Sequence, residues 1–178
     1  EEIPTYTITL TVGEHGTVYY NDEAVSTSVT VNENAEPAFT ITPETGYRVA
    51  SVIVDIANEG GTNVTGQLNN GVYTFVAVTA NHTLDVTFEE IPTYTITLNV
   101  GAHGTVYYND EAVTTSVTVN ENATPAFTFT PESGYRVASV IVDIANEGGT
   151  NVTGQLDANN VYTFVAVTAN HTLDVTFE

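Results

Sequence analysis

Acid–base or metal chemistry in this chain would have to come from four histidines and twenty-two carboxylates. Hydrolysis through a covalent intermediate needs a nucleophile, a base and a group that orients the base. His15 sits in a glycine-flanked turn, Gly13-Glu-His-Gly16, and His82 precedes a strand in "ANHT"; His103 and His171 repeat them. Neither lies in a G-x-S-x-G elbow or a related signature. Both positions read as exposed turn histidines. Paired carboxylates cleave glycosides only across a cleft, which short loops do not build. Glu14 and Glu36 are moreover replaced by Ala102 and Thr124 where the sequence repeats. No catalytic residue is assigned, and the expectation is a protein that is not an enzyme.

Calcium is the metal best suited to the segment Asp55–Asn63, which gathers carboxylate, amide and hydroxyl oxygens around a Gly pair and recurs at Asp143–Asn151. Asn21-Asp22-Glu23 is a second acidic turn. Neither has the D-x-[DN]-x-[DN]-G spacing of an EF-hand. Asn, Asp and Gly at such places also serve ordinary turn chemistry. No metal ligand or cofactor-binding residue is therefore assigned, and calcium stays an open partner. Lysine and cysteine are absent, which excludes Lys–Asn isopeptides, thioesters and disulfides. A Thr–Gln ester remains formally available at Gln67 and Gln155, the only glutamines. The competing reading is a half-exposed strand residue. Asn63, Asn81, Asn122, Asn151 and Asn170 begin N-x-[ST] triplets. Tyr19-Tyr20 and Tyr107-Tyr108 put one ring on each sheet face. A glycan would stack on the outward ring, with Tyr20 and Tyr108 the positions to test; the plainer reading is a ring covering the core edge.

Two arginines, Arg48 and Arg136, face twenty-two acids, for a net charge of -20. A phosphate backbone needs clustered Lys and Arg, so nucleic acid is excluded as a partner, and anionic membrane surfaces are disfavoured. The charge favours solubility, repulsion between copies and divalent cations. Hydrophobic residues at 42% are enough for a folded core. There is no membrane-spanning apolar run and no signal peptide. The chain lacks methionine altogether, including an initiator, which points to a processed or excised chain with its targeting information elsewhere.

The elements that would position these groups come in duplicate. Glu1–Leu68 match Glu89–Leu156 at an offset of 88. Asn69-Asn70-Gly71 then becomes Asp157-Ala158-Asn159-Asn160, and Val72–Phe88 match Val161–Phe177 at an offset of 89. Differences are few, among them Thr11/Asn99 and Ile41/Phe129. Near-identity opposes one domain built from two halves, since a shared core drives its halves apart. Two domains are expected, 1–88 and 89–178. The chain stops where a third "EIPTYT" would start, which suggests a window of a longer array.

Each copy is written in strands. "TYTITLTV" alternates strictly, with Tyr6, Ile8, Leu10 and Val12 on one face and threonines on the other. Gly13–Gly16 reads as a turn that returns "TVYY" as a hairpin partner. Further strands are expected at 26–31, 38–42, 47–56, 63–68, 72–78 and 82–88. In the long one, Tyr47 and Val49 share a parity that Val52, Val54 and Ile56 reverse, so a bulge is expected near Ala50-Ser51. "VTANH" reads as a single helical turn. The class is all-β, two tandem copies of a small β-sandwich or β-grasp-like sheet.

"YTITLTVGEHGTV", "FTITPETGYRVASVIVD" and "VYTFVAVTANHTLDVTF", in that order in both copies, resemble the divergent InlB-type B-repeat of bacterial surface and secreted proteins. The likeness spans nearly the whole repeat; the longer segment "IANEGGTNVTGQL" departs from it. It implies an extracellular or cell-surface location, a stalk, spacer or adhesin role, and no catalytic residues. Pro92 fixes its own φ and restricts Ile91, so the link between copies should be stiff. The expected function is a semi-rigid stalk whose partners are adjacent repeats. Assembly with other copies by strand pairing into a filament or sheath, and binding of cell-surface glycans, are the alternatives.

Overall fold

The computed structural model describes residues 2–56, 60–143 and 149–178. It is nearly all β. The chain divides into two compact units, Glu1–Ile91 and Pro92–Glu178. The boundary falls beyond Phe88 because the last strand continues through Glu89 and Glu90, which pair with Arg48 and Tyr47.

Unit 1 contains β1 (Thr5–Val12), β2 (Gly16–Tyr20), β3 (Glu23–Val25), β4 (Ser28–Asn32), β5 (Ala38–Pro43), β6 (Tyr47–Val54), β7 (Thr62–Asn63), β8 (Val72–Thr74) and β9 (His82–Glu90). One sheet has the order β4-β1-β9-β6-β7 and the other β3-β2-β5-β8. Unit 2 repeats this with β10 (Thr93–Val100), β11 (Gly104–Tyr108), β12 (Glu111–Val113), β13 (Ser116–Asn120), β14 (Ala126–Pro131), β15 (Val137–Val142), β16 (Thr150–Asn151), β17 (Val161–Thr163) and β18 (His171–Phe177). Its sheets run β13-β10-β18-β15-β16 and β12-β11-β14-β17.

The core lies between the two sheets of each unit. Ile8, Leu10, Val52, Leu84 and Val86 come from the larger sheet, Val18, Phe39 and Ile41 from the smaller. Each is a residue whose alternation places it inward. Unit 2 closes its own core around Ile96, Phe127, Phe129 and Leu173. The bulge falls where the parity switches, with a register shift between Val49 and Ser51 and its equal between Val137 and Ser139.

The first and last long strands of a unit are neighbours and run parallel, with Ile8 opposite His82 and Val12 opposite Val86. From the level of Thr5 to that of Glu90 there are eleven residue steps. At about 3.3 Å per step that is about 36 Å. Parallel neighbours enter and leave at opposite ends of their sheet, so the chain enters unit 1 at one end and leaves it at the other.

Several local expectations are corrected. β2 is not the hairpin partner of β1; it joins the other sheet, paired with β3 and β5. The crossing is fixed by close approach. Gly13 N–H donates to Val86 O at 2.9 Å, and the Phe88 ring occupies the place of a Gly16 Cβ. The strand expected at 63–68 stops at Asn63, and Thr65–Gln67 form a 3-10 turn. There Thr65 Oγ1 accepts Val52 N–H at 2.8 Å, and Asn63 Oδ1 accepts Thr65 N–H at 3.0 Å. These side-chain bonds replace a ladder. The strand expected at 72–78 ends at Thr74, because Phe75 and Val78 donate to the Pro37 and Ala35 carbonyls instead. Ile56 is exposed rather than core. "VTANH" forms no helical turn; Asn81 Oδ1 accepts Thr7 N–H at 2.8 Å and pins that segment to β1.

Candidate functional site

The most organised polar group in each unit joins the end of β6 to the start of β9. Asp55 follows the last residue of β6 with φ +57°, a left-handed backbone that Asp tolerates better than most residues. Its N–H donates to Thr83 O at 3.1 Å. Its carboxylate accepts Thr83 N–H at 3.0 Å on Oδ1 and the His82 Nδ1–H at 2.8 Å on Oδ2. In unit 2, Asp143 takes Thr172 N–H at 2.9 Å and the His171 ring at 2.7 Å. His82 is therefore not the exposed turn residue expected from sequence. It is half-buried, with its ring 5.4 Å from that of Phe75. Nothing in the sequence marked this pair, because Asp55 and His82 lie 27 residues apart and nearly every residue recurs in the second copy.

A cleft of about 310 Å³ opens beside the pair, lined by Val54, Thr62, Val64, Tyr73, Phe75 and His82. Val76 stands on its rim, 82% exposed. A carboxylate that orients an imidazole is half of a hydrolytic relay. Among the described residues, however, no hydroxyl is hydrogen-bonded to the His82 ring. What the pair does chemically is hold β9 to the end of β6.

Tyr73, on the cleft wall, has its phenol raised above the ordinary value of 10.0 by burial and then by the negative Asp55. Tyr162 is raised by burial and by Asp143. The folded protein thus holds the phenolic proton more tightly than the unfolded chain. The contribution to stability is whole below the unfolded value, about 10, and is lost as pH rises through the higher folded one. Equilibrium unfolding followed through the alkaline range should show stability falling there, and the fall should be shallower for Tyr73→Phe in unit 1. An equally steep fall in that variant would remove Tyr73 from the account.

His15 keeps its expected turn, with φ +69°. Its ring stacks on Tyr47 at 4.0 Å, and Nδ1 lies 3.3 Å from Glu44 Oε2. His103, Tyr135 and Glu132 repeat the arrangement. On the outward face of the larger sheet, Asn99 Nδ2–H donates to Asp174 Oδ1 at 2.9 Å. Thr11 stands opposite Asp85 in unit 1. The second oxygen of each aspartate, Oδ2, is buried and has no hydrogen-bond partner among the described residues. Around Asp174 that face dips into a trough of about 540 Å³, edged by Asn99, Thr114, Ser139, Ile141 and Thr176.

The other residues singled out by sequence are mostly structural. Of the oxygens in the two calcium-type segments, Asp55 and Asn63 are spent on the bonds above. Asn58, Glu59 and residues 144–148 lie outside the described residues. Among the described residues no three His, Asp or Glu side chains are placed to share a metal ion. Asn21 and Asp22 have φ of 50° and 64° and close the two-residue hairpin between β2 and β3. Gln67 is exposed in its 3-10 turn, and Thr65 of the same turn already bonds to β6. Tyr20 turns inward and stacks on Phe39 at 5.3 Å, as Tyr108 does on Phe127. The outward ring is that of Tyr19 or Tyr107. Among the described residues no helix is long and apolar enough to cross a membrane. The chain matches no known protein-family profile, and no curated protein is detectably similar to it.

Proposed function

We propose that the chain is a mechanical spacer, a tandem-repeat module of a surface or secreted protein that works as a semi-rigid stalk. The observation that carries this reading is the parallel pairing of β1 with β9, which sets the entry and exit of unit 1 about 36 Å apart. A unit that enters and leaves on the same side folds an array back on itself; this one advances it. The link adds stiffness. Ile91 N–H donates to Gly46 O within unit 1, and Pro92 O accepts Glu121 N–H within unit 2. Between these anchored groups the backbone turns only at Ile91, whose torsions the following proline restricts, and at the ψ of Pro92, since the ring fixes the φ of Pro92. The charge of -20 keeps neighbouring stalks apart. The resemblance to InlB-type repeats supports a place outside the cell.

Small-angle scattering on chains with one, two and three repeats tests the reading. The maximum dimension should grow by a constant step of about 36 Å per repeat. A two-repeat chain that collapses, or whose units reorient freely, would sink it.

One observation favours a second reading, assembly between copies. β4 is an edge strand paired on one side only, and its sequence, SVTVN, carries neither a charged residue nor a proline. Such an edge is open to another strand. Sedimentation across a concentration series separates the readings, because a spacer stays monomeric. The glycan alternative named Tyr20 and Tyr108 as its test positions; the cores take up those two rings, and the outward rings left to it are those of Tyr19 and Tyr107.

A further inference from the structure

The two units differ most where β8 begins. In unit 1 the chain turns through Asn69-Asn70-Gly71-Val72. Asn69 and Val72 bond to each other in both directions at 3.0 Å, and Asn70 and Gly71 have φ of 50° and 78°. This is the two-residue hairpin for which Asn-Gly is the preferred filling. In unit 2 the turn is one residue longer. Asp157 Oδ1 accepts the Asn159 and Val161 N–H groups at 2.8 and 2.9 Å. Asn70-Gly71 is the only Asn-Gly pair in the chain.

We propose that Asn70 is a self-modification site that ages the first repeat and spares the second. The reaction needs an amide nitrogen free to attack a side-chain carbonyl. The Gly71 N–H donates to no carbonyl among the described residues, and glycine has no Cβ to screen the approach. Asn70 is exposed. Gly71 N bonds to Asn70 Cγ, the Cγ–Nδ2 bond breaks, and the amide leaves as ammonia with the proton from Gly71 N. The product is a five-membered succinimide. Water then opens the ring at either carbonyl to give aspartate or isoaspartate and a proton. No oxidant or enzyme is required.

The consequence is local. Isoaspartate carries the backbone through the side chain and adds a methylene to a turn with no spare length. The paired Asn69 and Val72 bonds are then lost, as is the Ile41 N–H bond to Gly71 O at 2.8 Å. β8 is a three-residue strand at a sheet edge, so little else retains it. Unit 2 has no Asn-Gly pair and keeps its own equivalent bond, Phe129 N–H to Asn160 O.

The test is incubation of the whole chain in mildly alkaline buffer, folded and in urea, followed by peptide mapping and ammonia release. Residue 70 should convert first among the asparagines, several-fold ahead of the next, and within a few-fold of its rate in urea. In the folded chain the ammonia released should match the loss of Asn70, and Asn70→Ser should abolish that early release. The proposal is overturned if folded Asn70 persists while the urea sample converts, or if another asparagine leads in the folded chain.

Discussion

Phe39→Ala is expected to destabilise the first repeat strongly and leave the second as it was. Phe39 is fully buried, stacked on Tyr20 at 5.3 Å and meeting Phe75 edge-on at 5.9 Å. Truncating such a ring costs about 3–5 kcal/mol, the lost transfer energy plus the cavity left behind. A unit of this length holds only about 5–13 kcal/mol in all, at about 0.05–0.15 kcal/mol per residue. The loss is therefore between about a quarter of the unit's stability and nearly all of it. With a shift of about 4–8 °C for each kcal/mol, the melting curve should split in two, with the upper step unmoved.

The reciprocal variant, Phe127→Ala, should move the other step. Phe127 is buried in the second core against Tyr108 and Phe164. The two cores share no residue. Calorimetry on both variants checks this. One merged transition moved as a whole in both variants would mean that the units unfold together, and the reading of the repeat as a self-sufficient brick would fall with it.

Much of the core was legible because burial in a sandwich follows parity. Ile8 and Leu10 alternate with threonines and are buried as that pattern requires. The bulge was legible too, since only an extra residue at Ala50-Ser51 lets Val49 and Val52 face the same side. Other features hid behind partners far away in sequence. Gly13–Gly16 has the spacing of a hairpin, yet the residue that decides its path is Phe88, packed where a Gly16 Cβ would sit. Thr65 has strand propensity, but its hydroxyl finds Val52 N–H thirteen residues back. The candidate site was least legible of all. Asp55 looks like a loop ligand and His82 like a turn residue until β6 and β9 lie side by side. Near-identity between the copies repeats nearly every residue, Asp55 and His82 included, and so does not single them out.

That site yields the second large effect. Asp55→Ala is expected to lower the stability of the first repeat by about 3 kcal/mol, from two causes that other substitutions separate. The first is the pair of donors left behind, Thr83 N–H and the His82 ring. Hydrogen bonds to a charged group are worth about 1.5–3 kcal/mol. The low end applies here, because the Asp55 side chain is 30% exposed and water screens it. The second cause is backbone strain, since alanine at φ +57° costs about 1–2 kcal/mol where aspartate is better tolerated. Asp55→Asn keeps the left-handed preference and an acceptor for Thr83 N–H, and should lose only about 1 kcal/mol. Asp55→Gly loses both acceptors but relieves the strain, so it should fall between. Urea midpoints for the first transition rank the three, and Asp143 should give the same order in the second. If Ala and Asn cost the same, neither the bonds nor the strain act as described, and the pair is an ornament of the surface rather than the clasp between β6 and β9.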